Sequence, residues 1–339
     1  MKTELSIAGI PPLVEAGAGD EVTDRPDPVG SLVELSHRIG RAHVRERLAR
    51  EHAHEQRVRR RFGTRFFYAE DAFSAPGVIR AGLRLAGLYA RARRNARALT
   101  VRENVVALAG LPRVFDGFTL LQISDPHLDL GPDIPDILVE CLAPLAYDAC
   151  VLTGDYRART FGPLEPTLAA MARVRPHLEA PVYAVLGNHD SIRLVPEIER
   201  LGIRVLLNEA VTLERDGYSL YLAGIEDAHH YRMHDFEKAA RGIPANAPAL
   251  LLSHTPEVYR EAERAGFRFM LSGHTHGGQI CLPGGFPLII DADCPRRFAR
   301  GAWRYRDLIG YTSVGSGTSI ADVRLNCPPE VTLHRLRTV

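Results

Sequence analysis

The chain has 339 residues, 45% of them apolar, and a formal net charge of +1, proportions that suit one sizeable core with an appendage. Its five cysteines, Cys141, Cys150, Cys281, Cys294 and Cys327, are odd in number and never in CxxC spacing, which argues against a disulfide framework or a zinc ribbon and for reducing surroundings. No apolar run reaches the ~18 residues of a membrane-spanning helix, and the opening residues lack the basic start and apolar stretch of a secretory signal. A cytoplasmic location is the expectation.

In chain order, residues 1–30 carry a net charge of −4 among several Gly and Pro, and read as a disordered acidic tail. Residues 31–100 hold sixteen arginines against six acids, and read as a basic helical arm of net +10. The remainder, 101–339, carries −5 and is expected to form one domain. Within the arm, PGVIRAGLRLAGLYARARRNARALT has helical periodicity: Arg80, Arg84, Arg91 and Arg94 fall on one side, and Val78, Ile79, Leu83, Leu85, Ala86 and Tyr89 on the other. Two readings are open. The helix lies on an anionic membrane, which would make the protein peripheral at the inner face of the cytoplasmic membrane, or its stripe docks on the body and the arginines face water. The run RRRF comes with no nucleic-acid module, so no specific nucleic acid is expected.

From about residue 100 the pattern changes to apolar runs that each stop at polar residues. FTLLQISDPHLD ends at Asp125 and His127, DACVLTGD at Asp155, PVYAVLGNHD at Asn188, His189 and Asp190, PALLLSHTPE at His254, and FRFMLSGHTHGG at His274 and His276. Short apolar runs of this kind fit strands covered on both faces, where sites form beyond strand ends. Between them, 164–178 has helical spacing, Thr255 and Pro256 open a helix running to Gly266, and VTLERDGYSLYLAGI is a hairpin about Asp216-Gly217. A layered α/β body follows. An isolated HxH is as readily a solvated loop, but five such endings in order are not explained by solvation.

The ordered motifs Asp125-Pro126-His127, Gly154-Asp155, Gly187-Asn188-His189-Asp190, His254 and Gly273-His274-Thr275-His276 resemble those of the calcineurin-like metallophosphoesterases, over roughly residues 115–339. The GHTHGGQ form and the later VGSGTSIADVRLNCPPEVTLHRL resemble a bacterial branch, often membrane-anchored, that includes UDP-2,3-diacylglucosamine pyrophosphatase-like enzymes. The resemblance implies a β-sandwich flanked by helices, in α/β/β/α layers. It also implies two divalent cations: Asp125, His127 and His276 on one, Asn188, His254 and His274 on the other, and Asp155 between them. Mixed imidazole and oxygen donors suit Mn, Fe, Zn or Ni. His189 is implied to act on the leaving oxygen rather than on a cation. Asp190 is expected to orient it or a ligand, and Asp227 to support the ligands from behind.

The family often has an acid at the position of Ala158, so Arg157 and Arg159 are read either as facing a phosphate or as solvated loop residues. His229 and His230 are expected at the surface. The implied activity is hydrolysis of a phosphodiester or pyrophosphate, with a lipid-linked substrate as one expectation. The alternatives are a soluble cyclic-nucleotide or nuclease-type phosphodiesterase, and a non-catalytic metal-binding scaffold.

Overall fold

The apolar runs become the inner strands of two sheets, seen in a computed structural model that describes residues 28–62, 75–179 and 181–339. The first sheet has the order β1 (Thr100–Leu108), β14 (Glu330–Thr338), β2 (Thr119–Ile123), β3 (Ala149–Leu152), β4 (Val182–Ala184), β5 (Arg204–Val205). The second runs β12 (Gly301–Tyr305), β13 (Leu308–Thr312), β9 (Phe269–Ser272), β8 (Ala249–Leu252), β7 (Tyr218–Gly224), β6 (Glu209–Arg215). Strands β2 to β5 are parallel, as are β7, β8, β9 and β13. The hairpin expected at Asp216-Gly217 joins β6 to β7, and both turn residues have positive φ, 50° and 78°, as the twist of a tight hairpin requires. A separate small hairpin pairs β10 (Cys281–Leu282) with β11 (Phe286–Pro287).

Strand alternation explains why these runs are apolar throughout. Leu120 and Val151 point between the sheets and meet Leu250, Leu252, Phe269 and Leu271. Their neighbours Leu121, Cys150 and Leu152 point the other way, under α5 (Ile134–Leu142), α6 (Glu165–Val174) and α7 (Val195–Arg200). On the second sheet, Leu251 and Met270 are covered by α9 (Tyr259–Arg264), with Ala239 of α8 (Phe236–Ala239) and Trp303 beside it. Each buried Leu contributes about 1.5–3 kcal/mol relative to exposure. The layers are α/β/β/α, as the motifs implied.

The arm is helical where it is described. The expected acidic tail lies outside the described residues up to 27, and α1 (Pro28–Ile39) starts ahead of the expected boundary at residue 30. Leu35 and Ile39 of α1, with Val44 of α2 (Arg41–Phe62), are buried in the core beneath the first sheet. The single helix expected over 76–100 is two, α3 (Ala75–Leu85) and α4 (Tyr89–Arg97). Gly87 breaks it at φ 68°, where the N–H of Leu88 bonds the Leu83 carbonyl at 2.8 Å and the N–H of Gly87 that of Arg84 at 3.0 Å, a glycine-ended cap. The stripe docks: Leu83 and Ala92 pack with Ala321, Val323 and Leu325, and Arg97 pairs with Asp133 and Asp322. Val78 and Leu85 stay exposed.

Leu83→Asp is expected to undock α3 and α4. Limited trypsin digestion should then cut within the arginine-rich 75–97 stretch several-fold faster than in the parent, while the main melting transition stays in place.

Candidate metal centre

All five strand endings meet at one edge of the sandwich. Asp125, His127 and His276 bring ligand atoms within 4.8 Å of one another, and so do Asp155, His254 and His274. The two clusters touch through Asp155, whose Oδ2 lies 3.9 Å from His127 Nε2 and 3.4 Å from His254 Nε2. Asn188 joins the second cluster, its Oδ1 2.9 Å from His254 Nε2. The sequence therefore named seven residues that the fold does bring together.

Local backbone explains how strand-end residues converge. Asp125, His127, Asp155, His274 and His276 have φ between 43° and 69°, a region that non-glycine residues seldom enter, so each chain turns sharply just past its strand. Close approach needs glycine on either side. A Cβ on Gly187 would strike the Asp155 carboxylate, and one on Gly273 would strike Ser124 and the Asp125 carboxylate. The His274 N–H donates to the Asp125 carboxylate at 3.0 Å, which ties the end of β9 to that of β2.

Hydrogen bonds fix which imidazole nitrogen faces inward. His127 Nδ1 donates to the Arg157 carbonyl at 2.5 Å and His254 Nδ1 to the Thr153 carbonyl at 2.8 Å, so in both rings Nε2 is the inward atom. His276 Nδ1 lies 3.3 Å from the Arg324 guanidinium, itself buried and bonded to the carbonyls of Val314, Gly315 and Gly317. His274 Nε2 is buried with no hydrogen-bond partner.

Electrostatics test whether cations fit. Burial opposes the charge of Asp155, but His254, His189 and His127 hold its carboxyl well below the usual range. Burial and the neighbouring Asp155 charge push Asp125 up, because two buried carboxylates this close cannot both stay ionised without positive charge. Burial also opposes the charged imidazole of His254, yet Asp155 raises it to about 10. Burial and nearby imidazoles push His274 and His276 well below the ordinary value, which leaves them neutral. A proton shared onto His254 is thus a poor substitute for divalent charge. Two clusters of imidazoles and carboxylates, with an orphaned imidazole nitrogen on His274, fit divalent cations bound by nitrogen and oxygen.

Around the centre the expectations part. His189 is half-buried, its Nε2 3.9 Å from Asp155 Oδ2 and its Nδ1 3.0 Å from Thr160 Oγ1; burial pushes it down to about 4. The Asp190 carboxylate does not touch His189. It accepts the N–H groups of Asp155 at 2.7 Å, Gly187 at 2.9 Å and Tyr156 at 3.0 Å, and so holds the Asp155 turn. Burial and the Asp155 charge raise it to about 6. Asp227 accepts the N–H groups of His229, His230 and Tyr231 and reaches no ligand directly. It shapes the turn that sets His229 4.2 Å, ring to ring, from His274; His229 and His230 are half-buried, not surface residues.

Arg157 does not face a phosphate. It is buried and bonds the carbonyls of Thr160, Gly162 and Pro163, whereas Arg159 is exposed. The Ala158 N–H donates to Asp129, which also accepts from Thr167, so the missing acid leaves an ordered loop. Arg324 escaped the sequence reading, since one arginine among dozens carries no signal before the chain folds back on itself.

Comparisons with known proteins agree with this geometry. Residues 118–278 match the calcineurin-like phosphoesterase family. The chain is 31% identical to phosphodiesterase YaeI of Escherichia coli (strain K12), over 56% of this chain and 70% of that protein. It is 29% identical to the metallophosphoesterase YkoQ of Bacillus subtilis (strain 168), over 73% of this chain and 93% of that protein. A transmembrane protein with a metallophosphoesterase domain from Danio rerio is 30% identical over 66% of this chain, which spans 54% of that protein.

Asp190→Ala leaves three buried N–H groups without an acceptor. At about 1–3 kcal/mol each, it should lower unfolding stability by at least about 3 kcal/mol, read by urea denaturation with an unchanged m-value.

Proposed function

The chain belongs to the calcineurin-like phosphoesterase family and is a metal-dependent phosphoester hydrolase; on that premise we propose that it uses two divalent cations to hydrolyse a phosphodiester or pyrophosphate. The observation that carries the proposal is the place of Asp155, one carboxylate oxygen lying between imidazoles of two separate clusters. Asp125, His127 and His276 would hold one cation, Asn188, His254 and His274 the other, and Asp155 both. Such a pair lowers the pKa of a water and neutralises phosphate oxygens.

The chain's own residues do the rest. The Arg157 and Thr153 carbonyls keep the rings of His127 and His254 turned inward. The Asp190 carboxylate holds the Asp155 turn. His189, outside both clusters and steadied by Thr160, presents Nε2 to the leaving oxygen as donor. A retained His189 beside a full ligand set favours turnover over a scaffold role.

For the substrate, we propose a phosphate ester carried on a lipid, of which UDP-2,3-diacylglucosamine is one candidate, reached from an anionic membrane surface. The support is an apolar rim beside the centre. Leu282, Phe286, Leu288 and Ile289 are 47%, 56%, 53% and 78% exposed on or next to the β10–β11 hairpin, which packs against the Gly278 turn that follows His276. Nearby, α3 and α4 carry six arginines and no acid. No helix among the described residues is long and apolar enough to cross a membrane. The alternative is a soluble cyclic-nucleotide or nuclease-type phosphodiesterase; the name of the Escherichia coli relative, a phosphodiesterase, fits diester hydrolysis under either reading. The division into tail, arm and catalytic domain is retained as a proposal, with the arm docked on the body.

Chelation should abolish activity, and metal analysis should find two equivalents in the parent and fewer in Asp155→Ala, which should be inactive. His189→Ala should keep its metal and lose roughly two to four orders of magnitude in rate, less for substrates with good leaving groups. Equal losses across leaving groups would reject its role.

The protein should sediment with phosphatidylglycerol vesicles at low salt and release at high salt. Leu288→Asp/Ile289→Asp should weaken that binding several-fold with hydrolysis of a soluble diester unchanged. No enrichment on anionic vesicles would remove the membrane reading and, with it, the case for a lipid-linked substrate.

A further inference from the structure

Helix α2 lies outside the stretch that matches the family, residues 118–278, yet it reaches the turn that carries His189. Its Arg47 is completely buried. The Arg47 guanidinium donates to Glu226 at 2.7 Å, to Glu51 at 3.0 Å and to the backbone carbonyl of Asp190 at 2.8 Å, and stands 3.7 Å over the Tyr231 ring. Glu51, one turn along, accepts from Ser191 Oγ at 2.7 Å and from the Ile192 N–H at 2.8 Å. Residues 190, 191 and 192 are thus each bonded to one turn of α2.

Burying charges on this scale is unfavourable unless every one is paired in good geometry, and a helix that merely covers a core has no need of it. Here Arg47 is paired with Glu51 and Glu226, and the pair reaches one turn at three points: the Asp190 carbonyl, the Ser191 hydroxyl and the Ile192 N–H. Its far side is held as well, by the His189 N–H on Asp155 Oδ1 at 2.9 Å and by the Asp190 carboxylate on the Asp155 turn. The His189 ring has one hydrogen bond, to Thr160. Its place beside Asp155 is therefore set mostly by where the backbone of 188–192 runs.

We propose that Arg47 and Glu51 are positioning residues, through which docked α2 fixes the 188–192 turn and so the stance of His189 at the metal centre. The kinetic part of this rests on the role of His189 given above; the structural part does not. A side chain displaced by about 1 Å can cost up to ~10²-fold in rate, so the helix would be a part of the active site that the family match does not include. It follows that α2 stays on the body while any membrane contact is made elsewhere.

The test uses the full chain. Arg47→Met would strand the buried Glu226 and risks misfolding. Glu51→Ala and Ser191→Ala, with Arg47→Lys as the conservative change, keep the question answerable. Hydrogen–deuterium exchange of peptides covering 186–193 is measured alongside melting temperature, bound metal, kcat and KM. The substrates are two phosphodiesters, one with a p-nitrophenol and one with an alkyl alcohol leaving group.

Glu51→Ala is expected to speed exchange in 186–193 at least tenfold. It should lower kcat on the alkyl ester ten- to a hundredfold with KM and metal content kept, and should add no further loss in the His189→Ala background. Arg47→Lys, which keeps a positive charge facing Glu51 and Glu226, should retain most of the parent's rate. Unchanged exchange in 186–193 would overturn the proposal, as would losses that multiply in the double variant, since those would be independent of His189. If His189→Ala alone leaves the rate intact, the role of His189 fails, and exchange in 186–193 still decides whether α2 holds the turn.

Discussion

Two carboxylates, Asp125 and Asp155, are buried within reach of the same imidazoles, and most of this structure can be read as the means of keeping them there. Unscreened by water, such charges repel strongly and favour protonation. The fold counters this with imidazoles on every side and with backbone N–H groups aimed at oxygen: the His189 N–H at Asp155 and the His274 N–H at Asp125. What remains unbalanced is positive charge, and divalent cations are the simplest source of it. The same imbalance that would destabilise an empty site gives it affinity for metal.

Holding the seven candidate ligand residues on turns rather than within strands has a cost in backbone conformation. Five of them adopt left-handed φ. Such conformations persist only when surrounding contacts over-determine them, and here each turn is braced by another. The Asp190 carboxylate braces the turn of Asp155, buried Arg324 braces the turns beside His276, and the parallel strands set the distance between neighbouring turns. The two sheets contribute opposite halves: β2, β3 and β4 supply Asp125, His127, Asp155 and Asn188, and β8 and β9 supply His254, His274 and His276. The centre exists only where the sandwich closes, which makes the inter-sheet core of Leu120, Val151, Leu250 and Leu271 a condition of the chemistry.

The N-terminal residues acquire a different meaning in this frame. Their arginines looked like one basic surface, yet they divide by partner. Arg38 and Arg47 pair with Glu199 and Glu226 of the body, Arg97 with Asp133 and Asp322, while Val78 and Leu85 of α3 stay exposed, as do Leu282 and Phe286 of the β10–β11 hairpin. One arm thus combines a docked inner face with an outer face beside an apolar rim.

How much was legible in the sequence follows from the range over which each signal acts. Strand type, the hairpin at Asp216-Gly217, the helix opened by Thr255 and the five polar endings are local, since they depend on a side-chain period of two, on φ preference and on capping. Apolar content on both strand faces told of cover on both sides, and so of layers. The order of the motifs, through the family resemblance, named the residues that the fold gathers into the two candidate clusters. What lay beyond reach were pairings between residues far apart in the chain. The sequence could not say that Arg157 turns into its own loop, that Arg324 lies behind His276, that the 76–100 helix breaks at Gly87, or that Arg47 meets Glu226 across 179 positions. An arginine's role depends on which acceptor the closed fold puts within 3 Å of it, and only tertiary packing, which excludes water and leaves each buried charge a single partner, makes that choice.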